Sequence, residues 1–220
     1  MSDILHYPLT DFVTSCGVRI PALRVYYQVF GKALGTAPVV VVNHAFTGNS
    51  QVTGENGWWK EAIGEGKLID TLKYTVVAFN IPGNGFGARE EDMIPNYEHW
   101  AGIDVARIFN KGLTEHLGLN EVFALVGCSL GGGIAWEMAA LAPTLFKELV
   151  IVAADWKATD WIIGNCLLQE QILKNSTHPL HDARLHAMLC YRTPQSLKMK
   201  FERTTHLPTQ LYNVESWLLH

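Results

Sequence analysis

The 220-residue sequence predicts an α/β fold, a mostly parallel sheet with helices on both faces. Three observations lead there. Short apolar runs alternate with helix-length segments up to about residue 153, the rhythm of parallel strands joined by right-handed crossovers. Most of those runs lack polar alternation, as strands covered on both faces do. One of them ends in Gly127-Cys128-Ser129-Leu130-Gly131, and a helix-like segment follows at once.

Strands are expected over 24–30, 38–43, 74–80, 121–126 and 148–153, the last four dense in Val and Ala. Helices are expected over 58–64, 99–117, 131–142, 161–174, 182–189 and 194–202. In the second of these, Ile103, Ala106, Phe109, Leu113 and Leu117 recur at helical spacing and Gly118 supplies the stop. Pro143 closes the helix that follows Ser129. From Asp155 onward the pattern holds helices and polar turns without a further strand, ending in an apolar, helix-like stretch over 212–220. The expected division is therefore a core over 1–154 and a helical part over 155–220.

Composition narrows the function classes. Hydrophobic residues make up 48% of the chain and charged ones 17%, the balance of an ordered globular protein. A net charge of −4 with no basic cluster argues against a nucleic-acid or anionic-membrane partner. No apolar run reaches membrane-spanning length, and Met1-Ser2-Asp3-Ile4-Leu5-His6 lacks the features of a signal peptide. Cys16, Cys128, Cys166 and Cys190 are scattered without C-x-x-C spacing, which fits reduced thiols in a cytoplasmic protein and no metal site.

The chemistry gathers at the carboxyl ends of the expected strands, where open α/β sheets place their sites. G-x-S-x-G between a strand and a helix is a nucleophile elbow: the turn is so tight that the serine takes a strained backbone, and the glycines clear the crossing. Ser129 is then the candidate nucleophile for acyl chemistry. Such a serine needs two donors for the developing oxyanion. One is the N–H of the next residue, Leu130; the other, by position in the loop after the first buried parallel strand, is the N–H of Phe46. His44 reads as a turn histidine bonding nearby backbone. Gly83, Gly85 and Gly87 lack the Lys-Ser/Thr of a phosphate loop and read as a turn lining the pocket. The partner acid and base should follow in the order Ser, Asp/Glu, His. Asp155 reads better as a turn or cap residue, and His178, His181, His186, His206 and His220 lie in helices or polar turns with nothing to mark one as the base.

These residues resemble the homoserine O-acetyltransferase group of the α/β-hydrolase superfamily, over the front part of a family member. His44-Ala45-Phe46-Thr47-Gly48 is close to the group's H-A-L-T-G. Gly57-Trp58-Trp59 with Ile63-Gly64-Glu65-Gly66-Lys67-Leu68-Ile69-Asp70 is similar to G-W-W…I-G-P-G-K-x-I-D-T, and Cys128-Ser129-Leu130-Gly131-Gly132 to the elbow G-S-M-G-G. Ala183-Arg184-Leu185 with Leu189-Cys190-Tyr191-Arg192-Thr193-Pro194 resembles the lid block A-R-M…T-Y-R-S-P. The resemblance implies a ping-pong O-acyltransferase. Ser129 would take an acyl group from acyl-CoA, a co-substrate rather than a bound cofactor, and pass it to the hydroxyl of homoserine or a similar amino alcohol. It also implies Arg184 as the cation facing the acceptor's carboxylate, 155–220 as part of a helical lid, and a homodimer through the lid helices. A serine ester hydrolase and a non-catalytic remnant of the fold are the alternatives. Two departures stand out. The group's pocket loop G-G-C-x-G-S-T-G-P is here Gly83-Asn84-Gly85-Phe86-Gly87-Ala88-Arg89-Glu90-Glu91. The group's catalytic Asp and His follow the lid, and the chain stops inside it, so an open sheet edge and marginal stability are expected.

Overall fold

The computed structural model describes residues 2–94 and 96–220. The chain divides into two compact units, Met1–Lys157 and Ala158–His220. The first is built on eight strands, β1 (Leu5–Val13), β2 (Arg19–Gly31), β3 (Val39–Asn43), β4 (Ile63–Gly64), β5 (Ile69–Asp70), β6 (Thr75–Phe79), β7 (Val122–Cys128) and β8 (Phe146–Val152), with helices α1 (Gly102–Lys111) and α2 (Leu130–Leu141). Six strands form one sheet in the order β1-β2-β6-β3-β7-β8. β1, β2 and β6 are joined antiparallel, whereas β6, β3, β7 and β8 run parallel. Every residue of β3 and β6 is buried, which is why their sequences, Val39-Val40-Val41-Val42-Asn43 and Thr75-Val76-Val77-Ala78-Phe79, show no alternation.

One face of the sheet is covered by α1 and α2. Val105, Ala106, Ile108 and Phe109 of α1 and Ile134, Ala135 and Met138 of α2 pack there with Val41, Val77, Phe79 and Leu125. The other face buries Val40, Val42, Val76, Ala78, Ala124 and Val126 beneath Val52, Ile63, Trp58 and Trp59. The helix expected over 58–64 is absent; that segment is a series of turns leading into the short β4–β5 pair. A Cβ on Gly57 would fall 2.4 Å from the Thr53 backbone, and the stacked Trp58 and Trp59 rings lie 4.9 Å apart. The tryptophans thus cover the sheet from a folded loop, which helical spacing would not allow.

β1 is a second difference, because the sequence reading placed nothing before residue 24. Pro8 hides it, yet β1 is an outer strand with one neighbour, where proline removes no interior ladder bond. The helix expected over 99–117 is a 3₁₀ turn over Tyr97–His99, then α1, then a π turn over Gly112–His116. Gly112 sits at the change of pitch, where a Cβ would meet the Tyr7 hydroxyl at 2.7 Å. At the far edge β8 pairs with β7 alone among the described residues, and Val150 and Val152 are exposed.

The second unit holds α3 (Asp160–Asn175), α4 (Pro179–Cys190), α5 (Pro194–Phe201), the two-residue strands β9 (Thr205–His206) and β10 (Leu211–Tyr212), and α6 (Asn213–Leu219). The small β9–β10 ladder corrects the expectation that no strand follows residue 153. Thr159 and Thr193 cap α3 and α5 by accepting from Ile162 and Ser196 N–H, and Pro179 and Pro194 open α4 and α5. Trp161, Ile162, Ile163, Leu167, Leu180, Tyr191 and Met199 are exposed. Among the described residues no helix is long and apolar enough to cross a membrane.

Candidate active site

The parallel register sets the carboxyl ends of β3 and β7 side by side, with Asn43 opposite Gly127 and, on the other flank, Cys128 opposite Val152. At the end of β7 the chain reverses into α2 through Ser129, whose φ of 52° and ψ of −120° few residues with a Cβ adopt. Its N–H is fixed on Val152 O at 2.9 Å, and its carbonyl accepts from Gly132 N–H at 2.8 Å and Gly133 N–H at 3.1 Å. The glycines are required by contact. A Cβ on Gly127 would lie 2.4 Å from Gly131 O; one on Gly131, 2.4 Å from the carbonyl oxygens of Asn43 and His44; one on Gly132, 2.5 Å from Ala154 Cβ. Strand, helix and the loop after β3 therefore meet at backbone distance, and Ser129 remains exposed above the crossing.

The loop after β3 closes as a turn in which Ala45 O accepts from Gly48 N–H at 2.8 Å. Phe46 occupies its second position, whose N–H takes no part in the hydrogen bond that closes the turn. Among the described residues neither Phe46 N–H nor Leu130 N–H has a backbone acceptor, and Phe46 is 78% exposed. Two unbonded amides thus stand on adjacent segments at the edge that carries Ser129.

His44 is 1% exposed, and burial holds its imidazole below the ordinary histidine range, hence neutral. Nδ1 lies 2.7 Å from Ala45 O, and Nε2 accepts from Ile81 N–H at 3.0 Å. The Ala45 contact is the nearby backbone bond read from the sequence; the Ile81 bond, thirty-seven residues away, was not. The supporting polar groups were not legible there. Asn80 Oδ1 accepts from Ser50 N–H at 2.7 Å, Ser50 Oγ donates to Gln28 Oε1 at 2.7 Å, and Gln28 Nε2 donates to Gln51 Oε1 at 3.0 Å. All of Gln28, Ser50 and Asn80 are buried. The only signal was polar side chains inside or bordering apolar strands, which spacing alone does not pair.

The loop after β6, which carries Gly83 to Glu91, is anchored on β2 through Asp92. Its carboxylate accepts from Tyr26 Oη at 2.5 Å and from Arg24 Nη1 at 3.0 Å, with Arg89 Nε at 3.3 Å. The Tyr26 hydrogen bond foremost, with Arg24 adding to it, holds the Asp92 carboxyl below its ordinary value. A depressed carboxyl stabilises the fold fully above its unfolded pKa of about 4, and that contribution is lost as pH falls from there through the lower folded value. Asp92→Asn is therefore expected to flatten the acid limb of stability below about pH 4, measured as urea midpoints against pH. Parallel limbs in the two proteins would show that the anchor does not titrate this way.

Asp155 is exposed, outside helix and strand, and its Oδ1 accepts from Trp156 N–H at 2.8 Å; the cap of the next helix is Thr159. Arg184 lies on α4, exposed, with Nη1 3.5 Å from Leu218 O. Of the later histidines, His181 Nδ1 lies 2.9 Å from Asp182 Oδ1, His186 Nδ1 2.8 Å from Gln169 Nε2, and His206 Nδ1 2.9 Å from Thr209 Oγ1. In the first unit the Tyr27 hydroxyl meets His116 Nε2 at 3.0 Å. Among the described residues of that unit, no imidazole is hydrogen-bonded to Ser129.

Comparison with known proteins extends this picture. The family model for the alpha/beta hydrolase fold matches residues 38–185. A homoserine O-acetyltransferase of Corynebacterium diphtheriae is 31% identical over 168 residues, covering 73% of this chain and 45% of the relative. The crystal structure of a homoserine O-acetyltransferase from Staphylococcus aureus superposes with a TM-score of 0.78 at 25% identity, covering all of this chain and 68% of that one. The fold is also that of esterase E22, at a TM-score of 0.81 and 19% identity over all of this chain and 72% of that one. The chain spans about half the length of the curated relatives it matches, 45% and 49% in two cases. With its mostly parallel sheet, the tight strand-to-helix turn at Ser129 and a family match running from β3 into α4, the chain belongs to the alpha/beta hydrolase fold family, with homoserine O-acetyltransferases among its relatives.

Proposed function

We propose that the chain carries the acyl-accepting part of an O-acyltransferase site. Ser129 attacks the thioester carbonyl of an acyl-CoA, with CoA thiol as the leaving group. The Phe46 and Leu130 N–H groups stabilise the oxyanion. The acyl-serine then passes its acyl group to the hydroxyl of homoserine or a similar amino alcohol. The observation that carries this reading is the strained, exposed Ser129 beside two amides without internal acceptors. The names of the relatives support the acceptor class; an ester hydrolase would use the same acyl-serine with water as the acceptor.

No residue of this chain is assigned as the general base. A serine site without its base runs several orders of magnitude below a complete one. The sensitive readout is therefore the acyl-enzyme itself. Incubation with acetyl-CoA is expected to add one acetyl group to the peptide bearing Ser129, detected by mass spectrometry. Adding homoserine is expected to yield O-acetylhomoserine, whereas free acetate alone would assign the site to hydrolysis. An unmodified Ser129 under both conditions would sink the proposal.

Arg184 is proposed to hold the acceptor's carboxylate, since guanidinium grips carboxylate in a bidentate fork. Arg184→Gln is then expected to weaken acceptor use by about 10- to 100-fold while leaving acyl-serine formation unchanged. Equal losses in both half-reactions would remove Arg184 from that role.

A further inference from the structure

His44 touches no reacting atom, yet its hydrogen bonds reach the proposed oxyanion site through one peptide group. We propose that His44 is a positioning residue that sets the direction of the Phe46 N–H by holding the Ala45–Phe46 peptide plane. This inference rests on the reading of Phe46 as an oxyanion donor.

The carbonyl of Ala45 and the N–H of Phe46 belong to the same planar trans unit, so their directions are opposed and rigidly linked. Ala45 O is held twice, by His44 Nδ1 at 2.7 Å and by Gly48 N–H at 2.8 Å. With the oxygen drawn to one side, the Phe46 N–H is aimed to the other. Donors on a carbonyl oxygen also polarise the peptide and strengthen its N–H as a donor.

The proton on Nδ1 is fixed by the surroundings. Ile81 N–H can only donate, so Nε2 must accept, and a neutral imidazole then carries its proton on Nδ1. Asn84 Nδ2, 3.3 Å from the same Nε2, brings a second donor. Ile81 and Asn84 start the loop after β6, and Asn80 beside them binds Ser50 N–H at the far end of the turn. The turn from His44 to Ser50 is thereby sewn at both ends to residues 80–84. Sequence changes in that pocket loop would reach the oxyanion donor through the histidine.

The test uses two amide replacements in the whole chain. Asn can place an N–H near the Nδ1 position, whereas Gln reaches toward Nε2. His44→Asn is expected to keep fluorophosphonate labelling of Ser129 within several-fold of the parent. His44→Gln is expected to lower the labelling rate constant by about 100-fold with little change in probe affinity. The Phe46 amide resonance should move in His44→Gln and stay near its parent position in His44→Asn, and the parent's imidazole ¹⁵N shifts should report protonated Nδ1. Labelling that falls in both variants only in proportion to their unfolded fraction would overturn the proposal, as would a parent proton on Nε2. If the parent Ser129 does not label, the acyltransfer reading fails by itself, and the Phe46 resonance still decides the positioning claim.

Discussion

Replacing Ser129 with alanine is expected to abolish both the acetyl adduct and fluorophosphonate labelling, while the melting temperature stays close to that of the parent. Both adducts are covalent bonds to the Ser129 hydroxyl, and alanine has no oxygen to form them. Alanine keeps the Cβ, and so keeps the left-handed backbone at φ 52°. Glycine does not. A non-glycine residue held in such a region stores about 1–3 kcal/mol. Glycine loses roughly 0.5–1 kcal/mol of that gain to the greater freedom of its unfolded chain. Ser129→Gly should therefore be inactive and more stable by about 1 kcal/mol, a rise of roughly 2–4 °C for a chain of this size. The two inactive variants separate chemistry from strain. A Ser129→Gly protein melting no higher than Ser129→Ala would mean that the elbow stores no strain, and labelling of Ser129→Ala would move the nucleophile elsewhere.

The elbow and the interior strands were legible because local sequence and tertiary demand coincide. Val39 to Val42 must be apolar on both faces, and Gly127 and Gly131 must lack side chains, whatever the rest of the chain does. What escaped the sequence depends on distant partners. Trp58 and Trp59 have helical company in sequence, yet they stack over the sheet from a loop pinned by the Trp58 indole N–H on Asn49 O. β1 was hidden by Pro8, which is harmless only because of where the strand sits. His44 was legible as a backbone-bonded turn residue, but its second partner, Ile81, is thirty-seven residues away. The alternation of the first unit also says nothing about Asp92, whose anchor on Arg24 and Tyr26 links a loop to a strand far earlier in the chain. Sequence thus exposes the parts of a site whose constraints are steric and local, and conceals those made by polar pairing across the sheet.

The largest structural effect is expected at Gly131. Its Cβ would need the space occupied by the carbonyl oxygens of Asn43 and His44, each 2.4 Å away, and by the Asn43 carbonyl carbon at 2.6 Å. These are backbone atoms of a buried strand end, tied on both sides to β6 and β7, so no rotamer change can relieve the overlap. Overpacking against atoms that can shift costs about 1–3 kcal/mol, and here the cost should reach or exceed the top of that range. Gly131→Ala is accordingly expected to lower the melting temperature of the first unit by roughly 10 °C, or to leave it unfolded. Gly133, two residues further along α2, is the control. Nothing lies within 4 Å of its Cβ position, and alanine is favoured over glycine in a helix by about 1 kcal/mol. Gly133→Ala should therefore raise the melting temperature by a few degrees. Calorimetry on the pair decides the point, because helix propensity moves both variants the same way and only the crossing with β3 separates them. Equal shifts would mean that the helix does not approach the loop at backbone distance. The clash also displaces the turn that carries Phe46, so any folded fraction of Gly131→Ala should label more slowly than the parent at Ser129.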